Sequence, residues 1–362
     1  MTKKVNRAFF FIVLLISGFG FFIFSSASLG LLSREGARFG TVALKQLVAL
    51  GISLGAFFLI SKINYKHWRR ASLWIFIVSV LATLLVFVPG ISLGELGGAK
   101  RWITFGGFTF QPSEFLKLGF ILYTAQWLSE IKNHIRTYKR GLAPFLLLLL
   151  IVGIELVAQP DIDTLVIICV AGLAMFYVSG AKWRQIILIC LIVLASIAMV
   201  AVFKPYIRAR ITTFLDPTQN IQSSSYQVNQ SLIAIGSGGL TGRGFGQSIQ
   251  KFKYLPEPIG DSIFSVAAEE FGFIGSSLII LFFLAFCFAG LRIANGAPNQ
   301  WSRLVVVGIV IMVMTEAFIN IASMLALIPL TGTPLLFISH GGTALFFTLV
   351  EAGIIINISR HA

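Results

Sequence analysis

SYQVNQSLIAIGSGGLTGRGFGQSIQKFKYLPEPIGDSIFSVAAEEFGFIG, residues Ser225 to Gly275, changes character along its length. Up to Asp261 it is polar and rich in Gly, Gln and Ser, too irregular to lie in hydrocarbon, where every backbone polar group needs an internal partner. From Ser262 to Leu291 it continues as an apolar segment long enough to cross a bilayer, which takes roughly 20 helical residues. A polar block that feeds a membrane helix and is too patterned to be a linker is where chemistry is expected.

The rest of the chain has the composition of a polytopic membrane protein. Of 362 residues, 57% are hydrophobic and 12% charged, and the mean hydropathy is +0.89, far from soluble averages. The alternation of a β-barrel is absent. The reading is an all-α protein with about ten transmembrane helices, near Phe9–Leu29, Leu44–Ser61, Ser72–Pro89, Ser113–Ser129, Leu142–Val157, Thr164–Gly180, Ile186–Phe203, Ser262–Leu291, Leu304–Leu327 and Gly341–Ile358. No repeat or soluble appendage interrupts it, so residues 1–362 read as one membrane domain. The large external loop, about 204–261, lies between helices 7 and 8, and the apolar run SLIAIG within it predicts a short re-entrant or interfacial helix.

Short basic loops stay on the cytoplasmic side. Lys3, Lys4 and Arg7 precede the first span, KINYKHWRR follows the second, IKNHIRTYKRG the fourth and AKWR the sixth, while Arg292 and Arg303 bracket the turn after the eighth. An even number of spans then puts both termini in the cytoplasm. Several loops on the external side also hold Lys or Arg, so part of the net charge of +14 needs another explanation. KKVNR followed by an apolar run ending in SSASLG also resembles a cleavable signal peptide, but the run is long for one and its loss would leave an odd span number. Cys169, Cys190 and Cys287 all fall inside apolar spans and read as core packing.

Four polar constellations lie at the external side. In GGAKRWITFGGFTFQPSEFLKL, Arg101 sits in a glycine-bounded loop, and Glu114 and Lys117 share one helix face at i,i+3 spacing. The pair is either an intrahelical ion pair or part of a cavity, since charges within a span usually face one. In AQPDIDT, Gln159, Asp161 and Asp163 can end one helix and cap the next, and both capping and chemistry remain readings. The opening block brings Arg243, Lys251 and Lys253 ahead of LPE, with Glu257, and then Asp261. In IPLTGTPLLFISHGGTALFF, prolines and the Ser339–Gly342 turn imply non-helical backbone at membrane depth. GLTGRGFG is discounted as a nucleotide loop because no GK[ST] follows it, and His340 reads as a packed turn residue. External cations beside a carboxylate suit a membrane-anchored phosphorylated substrate: Arg and Lys neutralise phosphate oxygens, and a carboxylate can act as general base to a sugar hydroxyl.

The strings GAKRWI, FQPSE, AQPD, SYQVNQSLIAIGSGG, GRGFGQSIQK, YLPE, DSIFSVAAEEFGFIG, PLTGTPLLFIS and the terminal NISR resemble the SEDS glycosyltransferases, the FtsW/RodA group of peptidoglycan polymerases, over nearly the whole chain. YLPEPIGDSIFSV and SSAS resemble FtsW, the division member, more than RodA. The resemblance implies ten transmembrane helices, cytoplasmic termini and polymerisation of lipid II at the outer face of the cytoplasmic membrane. It makes Asp261 the catalytic residue, Glu114 and Lys117 the polar pair of a central cavity, and Arg101, Arg243 and Lys251 contacts of the pyrophosphate, with Glu257 and Ser339 completing the substrate site. It also implies a divalent cation, Mg²⁺ or Mn²⁺, as Lewis acid, with no organic cofactor and no nucleic acid. The implied partners are lipid II, the undecaprenyl-pyrophosphate-linked glycan, a class B penicillin-binding protein as transpeptidase, divisome or elongasome proteins, and membrane lipids. The chain departs from the family pattern at Asp163, where a glycine is common, at SHGGT, and at Glu316, often a Gln. Glu155, Glu316 and Glu351 are acids inside spans and stay outside the expected site. A flippase of lipid-linked precursors, an elongation polymerase and a non-catalytic scaffold remain alternatives.

Overall fold

The computed structural model describes residues 6–33, 39–94, 100–105, 108–132, 134–216 and 224–362; Lys3 and Lys4 lie outside the described residues. Its helices are α1 (Arg7–Ser28), α2 (Phe39–Ile60), α3 (Tyr65–Leu84), α4 (Pro112–Glu130), α5 (Ala143–Ala158), α6 (Ile162–Val178), α7 (Trp183–Phe203), α8 (Pro205–Leu215), α9 (Ser224–Ser237), α10 (Ile263–Asn295), α11 (Gln300–Met324) and α12 (Gly342–Ser359). A short antiparallel hairpin, β1 (Ile103–Phe105) and β2 (Phe108–Phe110), with Thr104 opposite Thr109, precedes α4. Helices α1 to α7 and α10 to α12 fall on the ten segments expected from the sequence. Eight of them are long and apolar enough to cross a membrane. The other two are α6, only 17 residues long, and α4, which carries Glu114 and Lys117 in its first turns.

Local chemistry sets the helix ends. Asn6 and Asn299 accept backbone N–H groups of Phe9 and Ser302 at 3.1 and 2.9 Å, each satisfying a donor that the first turn leaves orphaned. Pro112 opens α4, where its missing N–H costs nothing. The core is centred on α11 and α12, both buried along most of their length. Helix α11 packs against α10, α6 and α4, and α12 lies against α2. Helix α7 is the opposite case: it is apolar on every side and almost wholly exposed, which only lipid tolerates.

The two ends of the bundle differ. The Asn6 N–H donates to Ser359 Oγ at 3.3 Å, and the Tyr65 N–H to Asn357 Oδ1 at 2.9 Å. Both described termini therefore sit at one end, with the KINYKHWRR turn beside them. The opposite end carries the hairpin, α8, α9, the segment 238–262 and the loop 325–341. The SLIAIG run lies in α9, as expected.

Helix α10 is broken at Gly272 (φ 63°, ψ −160°), which frees the Glu269 and Glu270 carbonyls and the Phe273 and Ile274 N–H groups. The GLTGRG segment fills the gap. The N–H groups of Arg243 and Gly244 donate to the Glu269 and Glu270 carbonyls at 3.0 and 2.9 Å, and the Gly239 and Leu240 carbonyls accept from Phe273 and Ile274 at 2.9 and 3.1 Å. Four backbone groups that would be unpaired at membrane depth are thereby satisfied. The approach demands glycine on both sides. A Cβ on Gly242 (φ +81°) would lie 2.1 Å from the Glu270 carbonyl oxygen, and one on Gly272 only 2.4 Å from the Gly242 nitrogen. GLTGRGFG is thus a backbone plug for a broken helix.

Gly242→Ala is expected to destabilise the protein by at least about 2 kcal/mol, since the left-handed backbone alone costs about 1 to 3 kcal/mol with a side chain and the carbonyl contact adds to it. Gly236→Ala in α9, where an added Cβ meets nothing, is expected to be neutral or to stabilise by about 0.5–1 kcal/mol. Thermal unfolding in detergent followed by tryptophan fluorescence separates the two; equal midpoints would contradict the plug.

Candidate active site at the loop end of the bundle

Asp261 is the residue before the N-cap of α10 and is partly buried. Its backbone is pinned from two sides. Asn320 Nδ2, on α11, donates to the Asp261 carbonyl at 2.8 Å and to the Thr333 carbonyl at 2.7 Å. Ser339 Oγ donates to the Gly260 carbonyl at 2.8 Å, and the His340 N–H to that of Ile259 at 2.7 Å. The segment 331–341 therefore lies along 259–262 and fixes where the carboxyl points. It points at Gly332: the position of a Gly332 Cβ would be 3.6 Å from Asp261 Oδ2 and 3.9 Å from Arg101 Nη1. Any side chain there would fill the space between acid and cation.

Charges from four elements surround this space. Arg101, in the loop before β1, reaches Asp161 at 3.6 Å and donates to the Pro160 carbonyl. Asp161 also caps α6 through the Thr164 N–H at 3.4 Å, so the capping reading of AQPDIDT holds, and the same side chain faces Arg101. Asp163 accepts from Arg210 Nη1 of α8 at 3.1 Å and from the Gly332 N–H at 3.2 Å. Tyr206, also on α8, lies under Arg210, whose guanidinium is 6.0 Å from the ring centre. Three buried polar atoms of these residues, Arg101 Nε, Asp161 Oδ2 and the Tyr206 hydroxyl, have no hydrogen-bond partner. A buried polar atom left unpaired costs roughly 1–3 kcal/mol, and three on this one cluster of residues leave hydrogen-bonding capacity near Asp261 that the protein itself does not use.

Burial pushes the Asp261 carboxyl up to about 7. The Glu257 and Asp163 carboxylates add to the rise, while Arg101 and Arg210 oppose it. Asp261 is thus an acid poised near neutrality, as a general base requires.

The other expected site residues divide. Glu257 is exposed, in a left-handed turn (φ 45°) just ahead of Asp261. Arg243 Nε is 3.4 Å from Glu269 and keeps more than a third of its side chain exposed. Lys251, expected to contact pyrophosphate, is fully buried: it donates to Glu270 at 2.7 Å and to the Ser26 carbonyl at 3.1 Å. Its charge is consumed in tying α1 to the broken α10, so it is a structural cation. Ser339 is likewise buried, its Oγ accepting from the Leu335 N–H at 2.8 Å while donating to Gly260; its one proton is used in shaping the loop. Glu114 and Lys117 are buried 2.9 Å apart, and Lys117 also meets Glu316 of α11 at 2.5 Å. Glu316, which the sequence left aside, belongs to this buried cluster. Glu155 accepts from Thr83 on α3 at 2.7 Å, and Glu351 is buried on α12.

Sequence reasoning missed Arg210, Tyr206 and Asn320 altogether. The usable signal was YIRAR, a cationic stretch on the side where topology alone explains no cations.

Known proteins share this architecture. A family model described as cell cycle protein, FtsW/RodA/SpoVE, matches residues 6–362. Stage V sporulation protein E of Bacillus subtilis (strain 168) is 38% identical over 320 residues, covering 88% of this chain and 87% of that protein. The probable peptidoglycan glycosyltransferase FtsW of Geobacter sp. (strain M18) is 36% identical over 299 residues, covering 83% and 81%. Among solved structures, one describing structural coordination of polymerization and crosslinking by a peptidoglycan synthase complex superposes with a TM-score of 0.80 at 26% identity, covering 99% of this chain and 98% of that one. Rod shape determining protein RodA of Thermus thermophilus superposes with a TM-score of 0.72 at 26% identity, covering 99% and 97%. The chain is therefore a multi-pass membrane protein that belongs to the FtsW/RodA/SpoVE family, the SEDS proteins.

Proposed function

We propose that this protein is a peptidoglycan glycosyltransferase that polymerises lipid II, with Asp261 as general base. The observation that carries the reading is a carboxyl poised near pH 7, aimed at Gly332 with Arg101 beside it and three unpaired polar atoms on the neighbouring residues. In the reaction, an Asp261 carboxylate oxygen takes the proton from the GlcNAc 4-hydroxyl of an incoming lipid II. The hydroxyl oxygen attacks the anomeric carbon of the growing strand, and the bond to undecaprenyl pyrophosphate breaks with inversion. Arg101 and Arg210 offset the charge of the departing diphosphate; the resemblance had implied Arg101, Arg243 and Lys251 for this role.

The resemblance also implies a divalent cation. Among the described residues no three His, Cys, Asp or Glu side chains are grouped to hold one, and Asp161 and Asp163 are already engaged by Arg101 and Arg210. The protein alone therefore offers no resident site, whereas an ion carried by the substrate diphosphate would need only one or two carboxylates beside it; no step is routed through it.

Ten spans with the site at the external face and both termini in the cytoplasm fit the basic turns at the terminal end. A class B penicillin-binding protein fits as crosslinking partner, because the related synthase complex couples polymerization with crosslinking. The relatives named FtsW favour a septal role. A flippase of lipid-linked precursors is separated from a polymerase by the product: glycan strands from lipid II rather than translocated lipid.

With lipid II and the cognate transpeptidase supplied, Asp261→Asn is expected to lower glycan polymerisation by about 10²–10⁴-fold while keeping the unfolding midpoint, since only the backbone of Asp261 is pinned. Full activity in this variant would refute the role of base. The rate should also rise with pH through about 7, because the carboxyl must be ionised to accept the proton. Arg101→Gln removes a charge that favours the ionised form and should move this limb to higher pH; a shift to lower pH contradicts the electrostatics.

A further inference from the structure

At the terminal end of the bundle, away from the proposed active site, a cavity of about 380 Å³ is lined by Tyr65, Lys66, Arg69, Arg70, Gln126 and Asn299. Three helices meet there: the N-terminal turn of α3, the last turns of α4 and the N-cap of α11. Its walls are fixed. Asn299 Nδ2 donates to the Tyr65 hydroxyl at 3.2 Å, and Arg69 Nε to Gln126 Oε1 at 2.9 Å. Gln126 in turn donates to Glu130, the acid nearest this wall on α4. Among the described residues, none of Lys66, Arg69 and Arg70 has an acid within ion-pair distance, unlike Arg101, Lys117, Arg210, Arg243 and Lys251.

A topogenic role alone needs these cations only somewhere in the turn, whereas they converge on one cavity with two hydrogen-bonding side chains. Two helix N-termini add their positive ends to it, offset in part by the C-terminal end of α4. The chemistry called for is a phosphate. The adjoining surface says which kind. One turn beyond Arg70 the outer face of α3 becomes apolar and exposed: Leu73, Trp74, Ile77, Val78 and Leu81 continue from the cavity toward the middle of the helix. Cations at the rim, a tryptophan at the boundary and an apolar stripe beyond it match headgroup, interface and acyl chain in turn.

We propose that this cavity binds the phosphodiester headgroup of an anionic phospholipid of the cytoplasmic leaflet, with the acyl chains lying along α3. The test uses the purified full-length protein in neutral detergent, titrated with short-chain phosphatidylglycerol, short-chain phosphatidylcholine or inorganic phosphate, with binding read by native mass spectrometry and by the rise in unfolding temperature. Phosphatidylglycerol is expected to bind in preference to phosphatidylcholine, and inorganic phosphate at equal concentration to leave it bound. Lys66→Gln with Arg70→Gln should weaken binding roughly 25-fold, about fivefold per charge. Both side chains are exposed, so the lipid-free unfolding temperature should stay unchanged. Lys132→Gln with Arg136→Gln, in another basic turn, should leave binding intact. Equal binding of phosphatidylcholine, displacement by inorganic phosphate, or equal losses in the two double variants would each overturn the proposal.

Discussion

A backbone amide or carbonyl inside a bilayer has no water to turn to, and the break in α10 obeys that constraint in a way that orders the whole loop end. Opening the helix at Gly272 leaves four backbone groups, and only another strand of backbone can approach closely enough to satisfy them all. The 239–244 segment does so, and glycine at 242 and 272 is the condition for its approach. With the plug seated, Glu269 accepts from Ser248 Oγ and the Ile249 and Gln250 N–H groups. Glu270 accepts from Ser26 and Lys251. The chain that leads to Asp261 is thereby anchored on α1 and α10 before it reaches the site.

The site itself is assembled from the loop before β1, the start of α6, helix α8, the turn before α10 and the loop before α12. Its electrostatics follow from that assembly. A partly buried carboxyl between two acids and two arginines is pulled both ways, and burial decides the direction, lifting it toward neutrality. Arginine suits the opposing role, since its charge is fixed and its planar fork matches a diphosphate. The Glu114–Lys117–Glu316 cluster lies on α4 and α11, the helix that also carries Asn320. A charge there is tolerated only with its partners, so α4 and α11 are bound in one arrangement beneath the site.

Much of the fold was legible because hydrocarbon imposes a single-valued pattern: a long apolar stretch of this kind has few other uses, and every expected span is a helix. The SLIAIG helix was legible for the same reason. Asp261 and Arg101, expected together from the resemblance, do face one another across Gly332. What composition and spacing could not carry was pairing. Lys251 and Arg243 are both cations of one loop, and only the position of Glu269 and Glu270, hidden in the apolar-looking VAAEEFG, tells the buried Lys251 from the partly exposed Arg243. Asp163 and Arg210 are 47 residues apart on elements that read separately as a cap and a loop. Ser339 looked available because a sequence cannot show that its hydroxyl is spent on the Gly260 carbonyl.

Catalysis by Asp261 rests on the protonation state of one carboxyl, and infrared difference spectroscopy of the protein against Asp261→Asn observes it directly. A protonated-carboxyl band that belongs to Asp261 and fades with a midpoint near pH 7 is the predicted result. A band already lost in the ordinary aspartate range, about 4, would show a solvated carboxylate and contradict the base assigned here.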